Sequence, residues 1–437
     1  LIDNFFLGKE NLDIYIHNNH HEKFKFLIKK NNWIEVKSTS NNFQEVKHYL
    51  FFEHNKILHI HAYFKLFTGN SISKNYDLSN YANYFHNKHF DNKRKLWILN
   101  YDIQLLLFNV RILLKKRSIL GKYLILRDIH NYKKEIINIT NHTDDLNLSS
   151  NDINFESEYL NSREDKNEKI LLESIKNFKR LNFFQSLFSE LFFLVKIFFQ
   201  KLFRLKKFKL NKKIIIFISG ADASGKTTIT NDLKNLFKNF FKTKRFSIGK
   251  PYPKFLINML IKNNYFKKKN LSIKSRKSNT NNNLNYFKLF KNINLAIFRY
   301  IYSLNIFYFN QNTNIIILDR YLSENIGDVN GPRNSNTSEN NFFKKILSNI
   351  EIFFYKRAYF IDNEYKIITN LENCLSRNRE RFKEVKKTDD EIIKRYKKYQ
   401  ISNFKSKKVF EIDNNLSKKN TIKNILTKLS KQINENN

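Results

Sequence analysis

Cysteine is almost missing: Cys374 is the single one in 437 residues. That excludes an intrachain disulfide framework and any multi-cysteine zinc site, and makes a reducing, cytosolic compartment the expected one. Methionine is equally scarce. Residue 1 is Leu and the only Met is Met259, so the native start is expected upstream, and an N-terminal signal is neither visible nor excluded. Carboxylates are short against cations, 40 Asp+Glu to 79 Lys+Arg, for a net charge of +39. Such an excess favours polyanionic partners. The chain is also rich in Asn, Ile and Phe, and its lysines are spread over the whole length, as an AT-rich genome produces. Charge alone therefore makes no case for nucleic acid. No uninterrupted membrane-length apolar run is present, because residues 181–204 carry Glu190 and Lys196 near their middle. What remains is 41% hydrophobic and 15% aromatic, too apolar for a wholly disordered chain and long enough for two or three domains.

Glycine is rare as well, 8 in all, which makes one glycine pattern stand out. Residues 213–228 read KIIIFISGADASGKTT. Ile214 to Ile218 form an unbroken apolar run, as in a strand buried on both faces of a parallel sheet. Gly220, Gly225, Lys226 and Thr227 then fit G-x-x-x-x-G-K-S/T. Ile229, Leu233, Leu236, Phe237 and Phe240 follow on one helical face. Strand, glycine loop and amphipathic helix make the context in which backbone N–H groups and a helix N-terminus cradle phosphate. The nucleotide-binding candidates are Gly220, Asp222, Ser224, Gly225, Lys226, Thr227 and Thr228. Lys226 is expected on the β- and γ-phosphates of ATP and the Thr227 hydroxyl on Mg²⁺.

Residues 1–135 read as a small α/β domain: strands at 12–16, 33–37, 45–52 and 56–67, and helices at 21–29 and 101–116. The segments GKENLDIYI (8–16) and LHIHAYFKLFTG (58–69) resemble nucleotidyltransferase-like domains that precede some bacterial kinase-like domains. That family holds two metals with a D-x-D pair and a third carboxylate. Here Asn11 stands at the first position, only Asp13 remains, and His59 or His61 occupies the third region. One Asp and a His hold two Mg²⁺ ions poorly, so the domain is read as degenerate, a recognition or scaffold module. The i, i+2 spacing puts His59 and His61 on one strand face, with His48 and His54 near. Polar side chains on a solvated sheet face account for them without a metal.

Residues 136–210 are expected to join the domains. The stretch 135–180 has neither glycine nor proline and is rich in Asn, Asp, Ser, Glu and Lys, a solvated linker with a short helix at 168–178. Residues 181–204 then form an amphipathic helix followed by a basic tract, Lys206, Lys207, Lys209, Lys212 and Lys213. Two readings stay open: a helix lying in a membrane interface, or one packed between domains.

Residues 211–437 form the third region. A loop at 272–285 precedes a long helix, 286–309, that carries Arg299. The buried strand 314–318 ends in Asp319 and Arg320. An Asp at the end of a strand beside a phosphate loop suits a Mg²⁺ water, and an adjacent Arg reaches a second phosphate. The combination of GADASGKTT, LDRY and an arginine-rich helix resembles the thymidylate kinase group of P-loop kinases, most of all thymidylate-kinase-like domains of bacterial surface-polysaccharide clusters. The resemblance implies Asp319 near Mg²⁺, with Arg320, Arg299, Asp222 and Arg333 of the segment DVNGPRN on the acceptor side. It also implies a lid whose Arg377 and Arg381 stabilise the transferring phosphoryl group, Arg379 pointing elsewhere. Strands at 365–369 and 408–412 and a helix at 421–433 complete the expected sheet. No residue of the segment after the first helix is assignable to thymine.

The fold class expected is α/β: a P-loop parallel sheet flanked by helices, preceded by a smaller α/β domain. The function expected is Mg²⁺- and ATP-dependent transfer to a phosphorylated small-molecule acceptor, such as dTMP. One rival is a non-catalytic, nucleotide-responsive scaffold at a membrane surface or with polysaccharide-synthesis partners. A DNA-stimulated ATPase is the other, and nucleic acid is not an expected partner.

Overall fold

The computed structural model describes residues 2–39, 45–69, 74–79, 88–92, 96–116, 173, 176–203, 206–249, 286–333, 342–380 and 387–436. Two compact units divide the chain: Leu1–Leu50 with His59–Leu205, and Phe51–Leu58 with Lys206–Asn437. Arg381, the loop 272–285 and most of the short helix expected at 168–178 lie outside the described residues.

The first unit follows its alternating sequence. In order it contains α1 (Ile2–Phe6), β1 (Leu12–Tyr15), α2 (His21–Lys30), β2 (Ile34–Ser38), β3 (Val46–Phe52), β4 (Ile57–Tyr63), β5 (Phe67–Thr68), β6 (Tyr76–Asp77), β7 (Lys88–Asp91), β8 (Leu96–Leu99), α3 (Tyr101–Lys116) and α4 (Phe183–Leu202). Strands are hydrogen-bonded in the order β1-β4-β3-β2. β1 and β4 are parallel with Asp13 opposite His61, whereas β2 and β3 are antiparallel. The expected strand 56–67 stops at Tyr63 and resumes as the two-residue β5. Alternation along β4 holds, yet its histidine side is not a solvated face: His59 is only 2% exposed. Along α4, by contrast, Phe184, Phe188, Phe192 and Phe198 are 63–71% exposed. Among the described residues no helix is long and apolar enough to cross a membrane.

The second unit contains β9 (Phe208–Lys209), β10 (Ile214–Gly220), α5 (Lys226–Phe237), β11 (Thr243–Phe246), α6 (Tyr286–Leu304), β12 (Ile315–Asp319), α7 (Phe342–Arg357), β13 (Ile361–Ile368), α8 (Leu371–Arg379), α9 (Asp389–Gln400), β14 (Ser406–Asp413) and α10 (Lys418–Asn436). Five strands form a sheet in the order β11-β12-β10-β13-β14, every neighbouring pair parallel. Parallel neighbours need crossovers, which the intervening helices supply. Apolar runs meet that geometry: Ile216, Phe217 and Ile218 of β10 and Ile315 to Leu318 of β12 have no exposed surface. The chain fills one side of β10 with β11 and β12 before crossing to β13 and β14. β10 therefore sits at the topological switch point, where ligands lie beyond the carboxyl ends of the strands.

Four details depart from the sequence reading. β11 is an edge strand where none was expected, because TKRF is short and three of its four residues are polar. The α-helix begun at Tyr286 ends at Leu304 and closes with a π-turn, Asn305–Phe309. The arginine-rich segment is two helices, α8 and α9. β13 begins at Ile361, so Asp362 lies inside the strand, paired with Lys407 at 2.8 Å.

Candidate active site

The loop between β10 and α5 occupies that switch point. Gly225 caps α5 with φ 89°, and a Cβ there would lie 3.0 Å from the Asn414 amide nitrogen. Only glycine combines that backbone with that approach. Asn414 follows β14 and donates its side-chain amide to the Ser224 carbonyl at 2.7 Å, while Thr421 of α10 donates to Asn414 at 2.8 Å. The far edge of the sheet thereby braces the loop. Beneath it, Ser219 donates to Glu364 and lies 3.0 Å from the Tyr399 hydroxyl. Burial pushes the Glu364 carboxyl up, against the donors Ser219 and Ser406.

Lys226 opens α5, buried, and donates its ammonium back to the Ala221 carbonyl, with Ser224 Oγ at 3.5 Å. Burial pushes this ammonium down to about 8, although Asp222 and Asp319 pull the other way. Thr227 Oγ1 lies 3.5 Å from Asp319 Oδ2. That same oxygen accepts from Arg245 at 2.8 Å, whereas Asp319 Oδ1 is buried with no hydrogen-bond partner among the described residues. Arg245 escaped the sequence reading because its strand did. No apolar alternation marks TKRF, so the sequence held no signal for it.

Asp222 is held by three cations: a hydrogen bond from Lys387, another from Arg395 at 2.9 Å, and Arg320 at 3.8 Å. Burial works against its ionisation, yet the Lys387 hydrogen bond and the charges of Lys226 and Lys387 hold the carboxyl far below its usual range. Lys387 had no sequence signal beyond its place in a basic segment. Arg320 carries φ 93°, a left-handed backbone that disfavours any side chain, by roughly 1–3 kcal/mol. Such strain persists where packing over-determines it, and here a Cβ on Gly249 would approach Arg320 Cδ to 2.9 Å.

A cavity of about 930 Å³ joins these groups. Its lining includes Asp222 and Lys226 of the loop, the arginines Arg299, Arg320 and Arg333, and Lys387, Lys394, Arg395 and Lys398. Asp328 is the other carboxylate of the lining. Arg299 is almost wholly occupied by structure: it donates to the Tyr355 hydroxyl, to the Gly249 carbonyl at 2.7 Å and to the Asn330 carbonyl at 3.3 Å. Its Nε is buried with no hydrogen-bond partner among the described residues. Arg333 is exposed, and its backbone N–H donates to the buried Glu351 at 3.0 Å.

The arginines of α8 separate as their spacing predicts. Arg377 donates to the Asn414 carbonyl at 3.0 Å, and its other terminal nitrogen, beside the Gly225 position, is buried with no hydrogen-bond partner among the described residues. Arg379 turns away to pair with Asp389 on the surface. Gly220 and Thr228 lie at the two ends of the loop, the last residue of β10 and the third of α5.

No family model matches the sequence, and no curated protein matches it. Among solved structures, deoxyadenosine kinase from M. mycoides with bound dATP is similar at a TM-score of 0.29 and 16% identity, over 49% of this chain and 98% of that one.

Proposed function

We propose that the second unit is a thymidylate-kinase-like phosphotransferase that moves the γ-phosphoryl group of ATP to a phosphorylated small-molecule acceptor. One observation carries the reading: a single cavity is lined both by the Lys226 loop and by a wall of arginines, Arg299, Arg320 and Arg333. A phosphate loop alone binds nucleotide; further arginines lining the same cavity have use for a second anion. Loop N–H groups and Lys226 would take the β- and γ-phosphates, drawing the ammonium off the Ala221 carbonyl. Arg320 would hold the acceptor phosphate, with Arg333 at the rim and Arg299 keeping the wall in place. Arg377, with one nitrogen unused, would meet the charge that develops on the transferring group, and Arg381 would join it from the same segment.

The Thr227 hydroxyl and the Asp319 carboxylate, whose Oδ1 is buried with no partner among the described residues, fit a Mg²⁺ ion through a hydroxyl and a water. Bound there, the ion would offset the charge of the phosphates. Asp222, held among Arg320, Lys387 and Arg395, orders those cations rather than standing free for the acceptor. The first unit is proposed as a nucleotidyltransferase-like recognition or scaffold domain.

ADP release with Mg·ATP over a panel of acceptors tests the reading, dTMP and other nucleoside monophosphates first, then sugar phosphates, with Lys226→Ala as the blank. Turnover with dTMP makes a nucleotide kinase, and turnover with a sugar phosphate keeps the kinase while dropping the thymidylate part. Mutant-sensitive ATP binding without any turnover overturns the enzyme in favour of the scaffold. One observation favours a membrane-surface role besides: the exposed phenylalanines of α4 precede the basic tract 206–213 in sequence. Flotation with anionic vesicles, lost with neutral ones, is its expected signature.

A further inference from the structure

Three imidazoles meet in the first unit, apart from the phosphate chemistry. His48 of β3 and His59 and His61 of β4 each offer a ring nitrogen, and these three nitrogens lie within 4.8 Å of one another. The hydrogen bonds around them fix the orientation of the rings. Asp13 on β1, in register with His61 across the parallel pair, accepts from His61 Nδ1 at 2.9 Å. A carboxylate has no proton to give, so Nδ1 carries it and Nε2 keeps its lone pair. His61 Nε2 is buried and has no hydrogen-bond partner among the described residues. His59 is treated alike: its Nδ1 lies 2.6 Å from Asn11 Oδ1, which leaves Nε2 as the acceptor nitrogen. That Nε2 is 3.2 Å from His48 Nδ1. Two nitrogens on one tetrahedral zinc, each at ~2.0–2.1 Å, stand ~3.3 Å apart.

We propose that His48, His59 and His61 form a binding site for a transition-metal dication, Zn²⁺ by their ligand chemistry, with Asp13 and Asn11 orienting the rings from behind. A backing carboxylate or carbonyl on the far ring nitrogen is the usual support of a metal-bound histidine, fixing tautomer and orientation together. A solvated histidine needs no such support, and His59 is 2% exposed. The ligand set excludes Mg²⁺ as the resident ion. Three neutral imidazoles suit borderline metals, whereas Mg²⁺ asks for oxygen, and the single carboxylate here is spent on a ring N–H. Arg111 and Lys74 also act on Asp13, so the metal's charge is met by imidazole donation rather than by a surplus of acid. Three protein ligands leave a fourth position for water or an anionic oxygen, as in open zinc sites.

The test uses the full chain, stripped with a chelator, dialysed and titrated with Zn²⁺ against a chromogenic chelator, then with Co²⁺ for its spectrum. One equivalent of Zn²⁺ per chain is expected, with the intense d–d bands of four-coordinate Co²⁺. His61→Gln and His48→Gln should each weaken Zn²⁺ at least 100-fold, and Asp13→Asn about 10-fold. His89→Ala, an exposed histidine elsewhere in the unit, should change nothing. Equal Zn²⁺ affinity in the wild type and in a His48→Gln/His61→Gln double variant of wild-type far-UV circular dichroism overturns the proposal. So does uptake of less than one equivalent, or a weak six-coordinate Co²⁺ spectrum. If the double variant fails to fold, the wild-type stoichiometry and Co²⁺ spectrum decide on their own.

Discussion

Two parallel strand pairs in this chain use one geometric device for different chemistry. In the first unit β1 lies beside β4, and the pair presents Asn11, Asp13, His59 and His61. In the second, β10 lies beside β12 with Ile218 opposite Asp319, and the loop that leaves β10 carries Lys226 and Thr227. Parallel pairing brings side chains distant in sequence to one place in both cases, 48 residues apart for Asn11 and His59 and 92 for Thr227 and Asp319. Residue type sets what each place can hold. Hydroxyl, carboxylate and ammonium suit a hard cation and phosphate; imidazoles backed by an amide and a carboxylate suit a borderline metal. The surroundings agree, since cations dominate the cavity around Lys226, while the histidine cluster has neutral donors and one backing acid.

The comparison breaks most sharply at Lys226. Lys226→Ala should lower phosphoryl transfer by about 10³-fold or more in an ADP-release assay, with zinc stoichiometry untouched; loss of both would mean that the two sites are one folding unit. Asp319→Asn should reduce kcat by about 10²-fold and raise the Mg²⁺ concentration needed for half activity, read from a Mg²⁺ titration.

A pH effect comes next. The folded value of Lys226, about 8, lies below the ordinary lysine value of 10.5. Between those values the unfolded chain binds more protons, so stability rises with pH there, by at most about 3 kcal/mol. Denaturant melts at pH 8 and 10 should show the rise in wild type and its loss in Lys226→Met. Phosphate binding needs the charged lysine, so ATP affinity should fall above pH 8, with proton uptake seen as a buffer-dependent calorimetric enthalpy. Asp222→Asn should lower stability by about 1–2 kcal/mol, since Arg395 and Lys387 keep partial solvent access. The smallest effect separates neighbouring arginines: Arg379→Ala should leave turnover unchanged, whereas Arg377→Ala should lower kcat at least tenfold.

Legibility followed locality. The strand, loop and helix around 213–237 were readable because apolar periodicity and the glycine spacing fall within one short window. Asp319 and Arg320 were readable for the same reason, as the polar end of an apolar strand. β11 and its Arg245 were not, because an edge strand of four residues has neither the length nor the apolar content to stand out. The histidines misled in the opposite direction. Alternation correctly put His59 and His61 on one face of β4, but period two does not say whether that face meets water.

Composition and pattern therefore determined the parallel sheet, the glycine loop between strand and helix and the divergence of Arg377 from Arg379, each a consequence of backbone geometry over a few residues. Tertiary structure alone decided that Asp222 is held by Lys387 and Arg395, that Arg299 is occupied by Tyr355 and Gly249, and that His48 joins His59 and His61. Those outcomes depend on which distant side chains share a buried space. Burial and pairing free energies are set by that neighbourhood and not by the residues in sequence.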